Sequence, residues 1–574
     1  MALPTPESFT LQPEYDLVIV GSGGGSMAAA LYAKKAGLNP VILEKLGKIG
    51  GSTGYSGGVW WIPNHPLLAR HGVHDSEEEA YRYFEAVRTF KGKGTTPERT
   101  RAFIEEAPKM AQFLEDQGMV YYYPDGWSDY YDDQPGGNSH GRSLMAEPFN
   151  ANALGPWKDK LSLYEPFDGI PLPAFQMMGL MMIKRTWAAK LLALKVGLTM
   201  AFNKLTGRTV VANGGAIQAR MLEMTLKAGI PVFTGFATSR IVEEDGAVVG
   251  VEGMFNGKPT TVRGRFGVLM NVGGFARNGE MRRKYHRGPT SETWTNANPG
   301  DTGEMIQEMI RIGADTENMD TAVWLPTTLK ADGTLPAGAF GKSGEGYPFM
   351  HNADIATPNL MFVDKSGKRF INEANSYMEI GETLYDLGAI PAFVIFDDRH
   401  LKTYGFGPLL AGMKPIDKWL EEGFLIKADT IEELARKAGI DPAGLVAQVE
   451  RFNHYSETGV DEEFHRGERQ YDRFRGDPTR KPNPCLGPIA QGPFYAVHLF
   501  PSDVGTFGGV VTDERGRVLR EDGSVIAGLY ATGNCTSSVM GRTYLGAGAS
   551  ISPSFAFGYL AAKDMVTKSH NAAK

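Results

Sequence analysis

The chain has 574 residues, with 59 Lys and Arg against 66 Asp and Glu and a net charge of −7. That length exceeds one hydrophobic core, so two or more domains are expected, and an acidic balance without long like-charge runs argues against nucleic acid as a partner. Two cysteines, Cys485 and Cys535, build neither a disulfide framework nor a metal cluster and fit a reducing, cytoplasmic setting; residues 1–16 lack the basic and apolar regions of a secretory signal, and no apolar run reaches the roughly 20 residues that span a bilayer.

Leu17-Val18-Ile19-Val20 reads as a buried strand. A glycine turn follows, Gly21-Ser22-Gly23-Gly24-Gly25-Ser26, then an alanine-rich helix and a second strand, Val41-Ile42-Leu43, ending at Glu44. This is a βαβ unit. Gly21 allows the tight turn, Gly23 lets the backbone approach a pyrophosphate, and the helix N-terminus offers free N–H groups. Glu44 can accept from ribose hydroxyls. Ser26 stands where the usual pattern has its third glycine, small enough for close helix–strand packing. A second run, Gly50-Gly51-Ser52-Thr53-Gly54-Tyr55-Ser56-Gly57-Gly58, follows almost at once. A nicotinamide site has no need of it, whereas a flavin site does, because the chain must pass the pyrophosphate and the flavin edge. FAD is therefore the expected dinucleotide.

Residues 77–118 read as helices with charged faces, and 119–150 as an unusually aromatic loop. No acid occurs between Asp168 and Glu223. Within that stretch Ile183, Trp187, Leu191, Leu194, Leu198, Phe202 and Leu205 recur at helical spacing, flanked by Lys184, Lys190 and Lys195. Met177, Met178, Met181, Met182 and Met200 crowd the same segment. Such a stripe is either core or an interfacial helix lying on a membrane.

Residues 206–280 return to nucleotide-domain style. A helix over 216–228 follows Gly214-Gly215, then a strand at Val232-Phe233, a hairpin through Asp245-Gly246, and a buried strand entering a turn at Gly273-Gly274. Residues 281–495 change character and read as an inserted α+β catalytic domain. Gly528–Asn534 is again a strand entering a glycine turn, and a helix is expected over 553–567. The expected fold is thus α/β: a Rossmann-like FAD-binding domain (1–280, with a 169–208 insertion, and 496–574) interrupted by the 281–495 domain.

Seven motifs in this order, VIVGSGGGS, LEK, GGSTGYSGG, NVGGFARN, GKRFINEANSY, GTFGGVVTDERGRV and GLYATGN, resemble the flavoprotein family of fumarate reductases and 3-ketosteroid dehydrogenases over nearly the whole chain. SGGVWWIPNHP and the Tyr544/Gly548 pair point to the ketosteroid branch. No histidine lies in 50–58, so FAD is expected to be non-covalent. The resemblance implies a cofactor set of Gly21, Gly23, Gly24, Gly25, Ser26, Glu44, Lys45, Gly51, Ser52, Thr53, Ser56, Gly57, Gly58, Ala237, Gly273, Gly274, Gly533, Asn534 and Ala549.

It also implies a 3-ketosteroid substrate dehydrogenated across C1 and C2, with electrons passed to a quinone-type or artificial acceptor. Tyr544 and the Gly548 N–H would hold the C3 oxygen, Tyr377 would take the C2 proton, Tyr130 would assist it by lowering its pKa, and the flavin N5 would receive the C1 hydride. Tyr131 could replace Tyr130 in that role, and Arg542 could touch FAD or only brace its loop. The lysine-flanked stripe adds peripheral membrane association over 170–205 and a bulky substrate such as cholest-4-en-3-one. The alternatives are a Δ4-(5α)-dehydrogenase, a fumarate-reductase-like enzyme, and an electron-transfer subunit without a steroid site.

Overall fold

The structure, a computed structural model, describes residues 3–572. Its central sheet grows from the opening βαβ unit. Strand Glu14–Val20 runs parallel to Pro40–Glu44 on one side and to Lys258–Met270 on the other. Val232–Thr234 and Val525–Ala531 extend the parallel order at the two flanks. The residues Leu17, Val18 and Ile19 are wholly buried, as expected of a strand covered on both faces. The expected hairpin forms as Ala237–Glu244 against Ala247–Phe255. Its turn residues Asp245 and Gly246 have φ of 49° and 77°, the twist that suits a two-residue hairpin loop.

Two helices lie in backbone contact on one face of this sheet. A Cβ on Gly25 of helix Gly24–Lys35 would stand 2.3 Å from the Ser554 carbonyl oxygen of helix Ile551–Ala572. A Cβ on Gly558 would stand 2.4 Å from the Gly25 oxygen. That C-terminal helix begins two residues before the expected 553 and ends beyond 567.

The middle of the chain forms an antiparallel sheet of six strands. Phe494–Thr506 is its centre, pairing with Ala322–Leu329 and Ala392–Asp397. The boundary expected at 495/496 falls inside this strand. The same strand ends against the nucleotide domain, where Thr506 Oγ1 accepts from the Phe275 N–H at 3.3 Å. One rigid element therefore links the two sheets.

The 169–208 segment is not one helix. Helix Ala174–Leu180 is followed by turns, and helix Trp187–Thr206 starts at the capping residue Thr186. Ile183 falls between them, outside the stripe it was expected to extend. The other six stripe residues are exposed, from Phe202 at 52% to Leu205 at 86%. Of that helix only Ala189 is buried, so the stripe is not core. No helix among the described residues is long and apolar enough to cross a membrane.

Candidate active site

A cavity of about 700 Å³ runs between the two sheets. One end is built from the opening βαβ unit. Gly21 has φ of +92°, and a Cβ there would lie 2.1 Å from the Asn271 carbonyl oxygen, so only glycine fits. Glu44 closes this end. One carboxylate oxygen accepts from Ser22 N–H at 3.0 Å and Ser22 Oγ at 2.6 Å, and the other from Leu46 N–H at 2.8 Å. Burial still raises its pKa, because desolvation disfavours the charged form. Lys45 lines the cavity too, but its Nζ is committed to Glu304 and to Thr302 Oγ1.

Most of the expected cofactor positions line the cavity: Gly21, Gly23, Glu44, Lys45, Gly51, Ser52, Thr53, Ser56, Gly57, Gly273, Gly533 and Asn534. Gly24, Gly25, Ser26, Gly58, Ala237, Gly274 and Ala549 stand behind the wall. The physical reason differs between them. Gly24 and Gly25 face Phe555 and Ser554 of the C-terminal helix, so they serve the helix crossing. The Gly24 N–H is taken by Thr53 Oγ1 at 3.1 Å. Ser26 Oγ bonds Asn271, Gly58 faces the Asn213 backbone, and Gly274 faces Thr506. Ala237 is exposed beside Phe236 and Thr238, which line the cavity in its place, and buried Ala549 lies between the lining residues Gly548 and Ser550.

Sequence reading missed Asp301. Its carboxylate accepts from Ser52 Oγ at 3.0 Å, faces the same cavity, and burial pushes its pKa to about 6. The signal was there in Gly300-Asp301-Thr302-Gly303, a second glycine–hydroxyl run. Glycine walls, a helix start at Gly23 and buried carboxyls fit a dinucleotide with a flavin. No histidine or cysteine lines the cavity among the described residues.

The opposite end is aromatic. Tyr130, Tyr377 and Tyr544 come from segments hundreds of residues apart and meet with ring centroids 5.5, 5.1 and 5.7 Å apart. All three line the cavity. Tyr544 Oη shares a hydrogen bond with Ser550 Oγ at 3.0 Å. Gly548, with φ of +97°, packs on Val59, where a Cβ would lie 2.4 Å from a carbonyl oxygen. Its N–H has no acceptor among the described residues. Tyr377 opens helix Tyr377–Asp386, and its exposed edge faces the cavity.

Burial raises the pKa of Tyr377 well above 10, and the nearby Tyr130 and Tyr544 raise it further. The expected lowering by Tyr130 is therefore not what this environment gives: Tyr130 adds to the rise that burial causes. Tyr130 is raised too, again chiefly by burial. The choice between Tyr130 and Tyr131 is decided by direction. The Tyr131 side chain lies against Ser376 and Glu379 and does not line the cavity. Arg542 is ion-paired with Asp320 and lies over Phe90, so it braces the loop. Tyr471, unforeseen in the sequence, stacks on Tyr130 at 4.3 Å, and the Arg475 guanidinium lies 4.0 Å from its ring centroid.

Part of the cavity wall belongs to the apolar segment. Met177, Met178, Met181 and Met200, with Leu180 and Val196, form that part. Met182 instead packs on Tyr404.

A family profile described as "FAD binding domain" matches residues 16–551. The chain is 40% identical to a 3-oxosteroid 1-dehydrogenase of Mycolicibacterium smegmatis, over 96% of this chain and 97% of the relative. It is 32% identical to a 4-oxocyclohex-2-ene-1-carboxylate 5-dehydrogenase of Sinomonas cyclohexanicum, over 96% and 93%. A crystal structure of 3-ketosteroid Δ1-dehydrogenase from Sterolibacterium denitrificans, in complex with 1,4-androstadiene-3,17-dione, superposes with a TM-score of 0.90 at 33% identity, covering 97% of this chain and all of that one. The glycine-walled cavity and these matches agree: the protein is an FAD-binding oxidoreductase, and the chain belongs to the flavoprotein family that contains the 3-ketosteroid dehydrogenases.

Proposed function

We propose that the protein is a 3-ketosteroid Δ1-dehydrogenase acting on a sterol-like 4-en-3-one such as cholest-4-en-3-one. The observation that carries this is the meeting of Tyr130, Tyr377 and Tyr544 beside the free Gly548 N–H, at the end of a long apolar cavity. The Tyr544 hydroxyl and Gly548 N–H would together hold the C3 carbonyl oxygen and stabilise the negative charge that gathers there as the C2 proton leaves. Tyr377 receives that proton. Tyr130 holds the Tyr377 oxygen in place and is itself braced by Tyr471. FAD, held without a covalent bond by the glycine-rich end, supplies the acceptor for the two electrons, which pass on to a quinone-type oxidant.

A cyclic ketone bearing a carboxylate is the rival substrate, and charge argues against it. A carboxylate needs a cation, and Lys45, already paired with Glu304, is the only lysine or arginine lining the cavity among the described residues. The test is anaerobic mixing of the holoenzyme with cholest-4-en-3-one, androst-4-ene-3,17-dione, 4-oxocyclohexanecarboxylate and succinate. The flavin should bleach with the steroids, and the product should be the 1,4-dien-3-one. Bleaching by the carboxylates alone would overturn the proposal; with 5α-androstane-3,17-dione added as a further substrate, a 4-ene product would assign the Δ4-(5α) reaction instead.

The exposed stripe supports a membrane as the source of substrate. Burying one large apolar side chain is worth about 1.5–3 kcal/mol over exposing it, so six exposed ones leave on the order of 10 kcal/mol unused in water. Lys190 lies 4.4 Å from the Trp187 ring centroid, where it can reach lipid headgroups. Exposed Leu410 and Met413 stand on the neighbouring loop, which packs beside Lys184. The wild type should sediment with anionic liposomes. Replacing Trp187, Leu191, Leu198 and Leu205 by glutamine, or deleting 170–205, should leave it in the supernatant. Equal sedimentation of the glutamine variant would refute the membrane role.

A further inference from the structure

Arg99 stands in the first turn of helix Pro97–Gln117 and is fully enclosed. Its Nη1 donates to the main-chain oxygens of Gly94 and Ser537, and its buried Nε has no partner. Among the described residues it forms no ion pair: Asp513, Glu317 and Glu514 attract it from beyond contact distance. Arg142, Arg282, Arg369 and Arg466 are buried as deeply, yet each meets a carboxylate. A buried cation without a counter-charge is costly. Desolvation lowers the Arg99 pKa only to about 10, so it remains charged at neutral pH.

What it faces gives that cost a purpose. Arg99 borders a small cavity of about 20 Å³, room for one water, walled by Gly533, Asn534, Ser550, Pro553 and Phe557. Gly533, Asn534 and Ser550 are at the same time part of the wall of the large cavity. Ser550 is bonded to Tyr544 and Gly533 adjoins Asn271, so this shared wall joins the tyrosine end to the glycine-rich end. Glu44 and Lys45 mark the adenosine end, which leaves the flavin ring beside the shared wall. Helix Ile551–Ala572 also starts there, aiming its positive dipole end the same way.

We propose that Arg99 tunes the redox poise of the bound flavin. Its charge, not met by a direct ion pair and acting through the Gly533–Asn534–Ser550 wall, stabilises the negative charge that the flavin pyrimidine ring gains when two electrons arrive. FAD is thereby made a stronger oxidant, as removal of hydrogen from an unactivated C1 requires. Arg99 touches neither cofactor nor substrate in this scheme; it is a positioning residue acting by its field.

The test needs no steroid, so it succeeds or fails independently of the substrate assignment. Midpoint potentials are measured by dye equilibration on the holoenzymes of wild type, R99M and R99K. Sulfite affinity is titrated alongside, because sulfite adds to oxidised flavins and leaves negative charge on the same ring. R99M should shift the reduction equilibrium at least tenfold, about 30 mV downward for a two-electron couple, and weaken sulfite binding at least tenfold. R99K should stay within threefold of wild type in both. Ser538 also borders the small cavity, and S538D would place a counter-charge beside an intact Arg99. It should act in the same direction as R99M, which keeps the proposal testable if R99M fails to fold. Unchanged potential and sulfite affinity in R99M, or in S538D, would overturn it. So would an R99K shift as large as that of R99M, which would make Arg99 a structural brace.

Discussion

Tyr377→Phe is expected to lower kcat by about 10³-fold, within the 10²–10⁴ range that a positioned base contributes, while leaving FAD content unchanged. The argument is geometric. Tyr377 lines the cavity within the cluster of Tyr130 and Tyr544, at the start of a helix. Phenylalanine keeps the ring packing and removes only the oxygen. The pH profile gives a second reading. Because burial raises Tyr377 well above 10, the phenolate is scarce at neutral pH, and its share grows about tenfold per pH unit below the pKa. Wild-type kcat/KM should therefore climb with pH between 7 and 9, while Tyr377→Phe gives a flat profile at its residual rate. Tyr544→Phe removes one oxyanion donor and should cost about 10²–10³ in kcat, with the pH slope preserved. A Tyr377→Phe enzyme retaining a tenth of wild-type activity would assign the base elsewhere. Steady-state rates across pH, with the FAD-to-protein absorbance ratio as control, decide it.

Gly25→Val should be the most damaging single change to the fold. Its Cβ would meet the Ser554 carbonyl oxygen at 2.3 Å, and a backbone atom has no rotamer by which to escape. Helix Ile551–Ala572 would have to move off helix Gly24–Lys35. Overpacking of a side chain costs about 1–3 kcal/mol; displacement of a whole helix puts this variant at the upper end or beyond. Ile551 and Ser554 also line the cofactor cavity, so FAD should be lost with the packing. Gly47→Ala is the matched control, since nothing lies within 4 Å of its added Cβ. Thermal melts and the 450/280 nm absorbance ratio would show Gly25→Val as colourless or insoluble and Gly47→Ala as wild type. A yellow, folded Gly25→Val protein would mean that the two helices can separate without cost.

Local pattern carried the opening of the fold and part of the site. Strand Glu14–Val20, the Gly21 turn and Glu44 were legible because a buried parallel strand, a positive-φ glycine and an acid at the next strand end each demand particular residue types over a short span. The glycines after Gly23 carry a constraint that local pattern does not show. Gly24 and Gly25 look like phosphate-loop residues in sequence, and the room for their side chains is taken by Phe555 and Ser554 of the C-terminal helix. The apolar stripe was half legible. Period 3.6 showed an apolar face, but a stripe facing inward and one facing outward have the same sequence.

The sequence by itself determined that a dinucleotide with a flavin is held by the N-terminal βαβ unit, because that chemistry needs glycines and an acid at fixed local spacing. Resemblance supplied Tyr130, Tyr377, Tyr544 and Gly548 as a set. Only the tertiary structure decided that these four share one cavity, that Tyr130 rather than Tyr131 faces it, and that Tyr377 is raised rather than lowered by its neighbours. It alone brought Asp301 to Ser52, Tyr471 to Tyr130 and Arg99 to the far side of the Gly533–Asn534–Ser550 wall. Distances across a fold, and the burial that sets each charge, arise from packing between segments that no local spacing encodes.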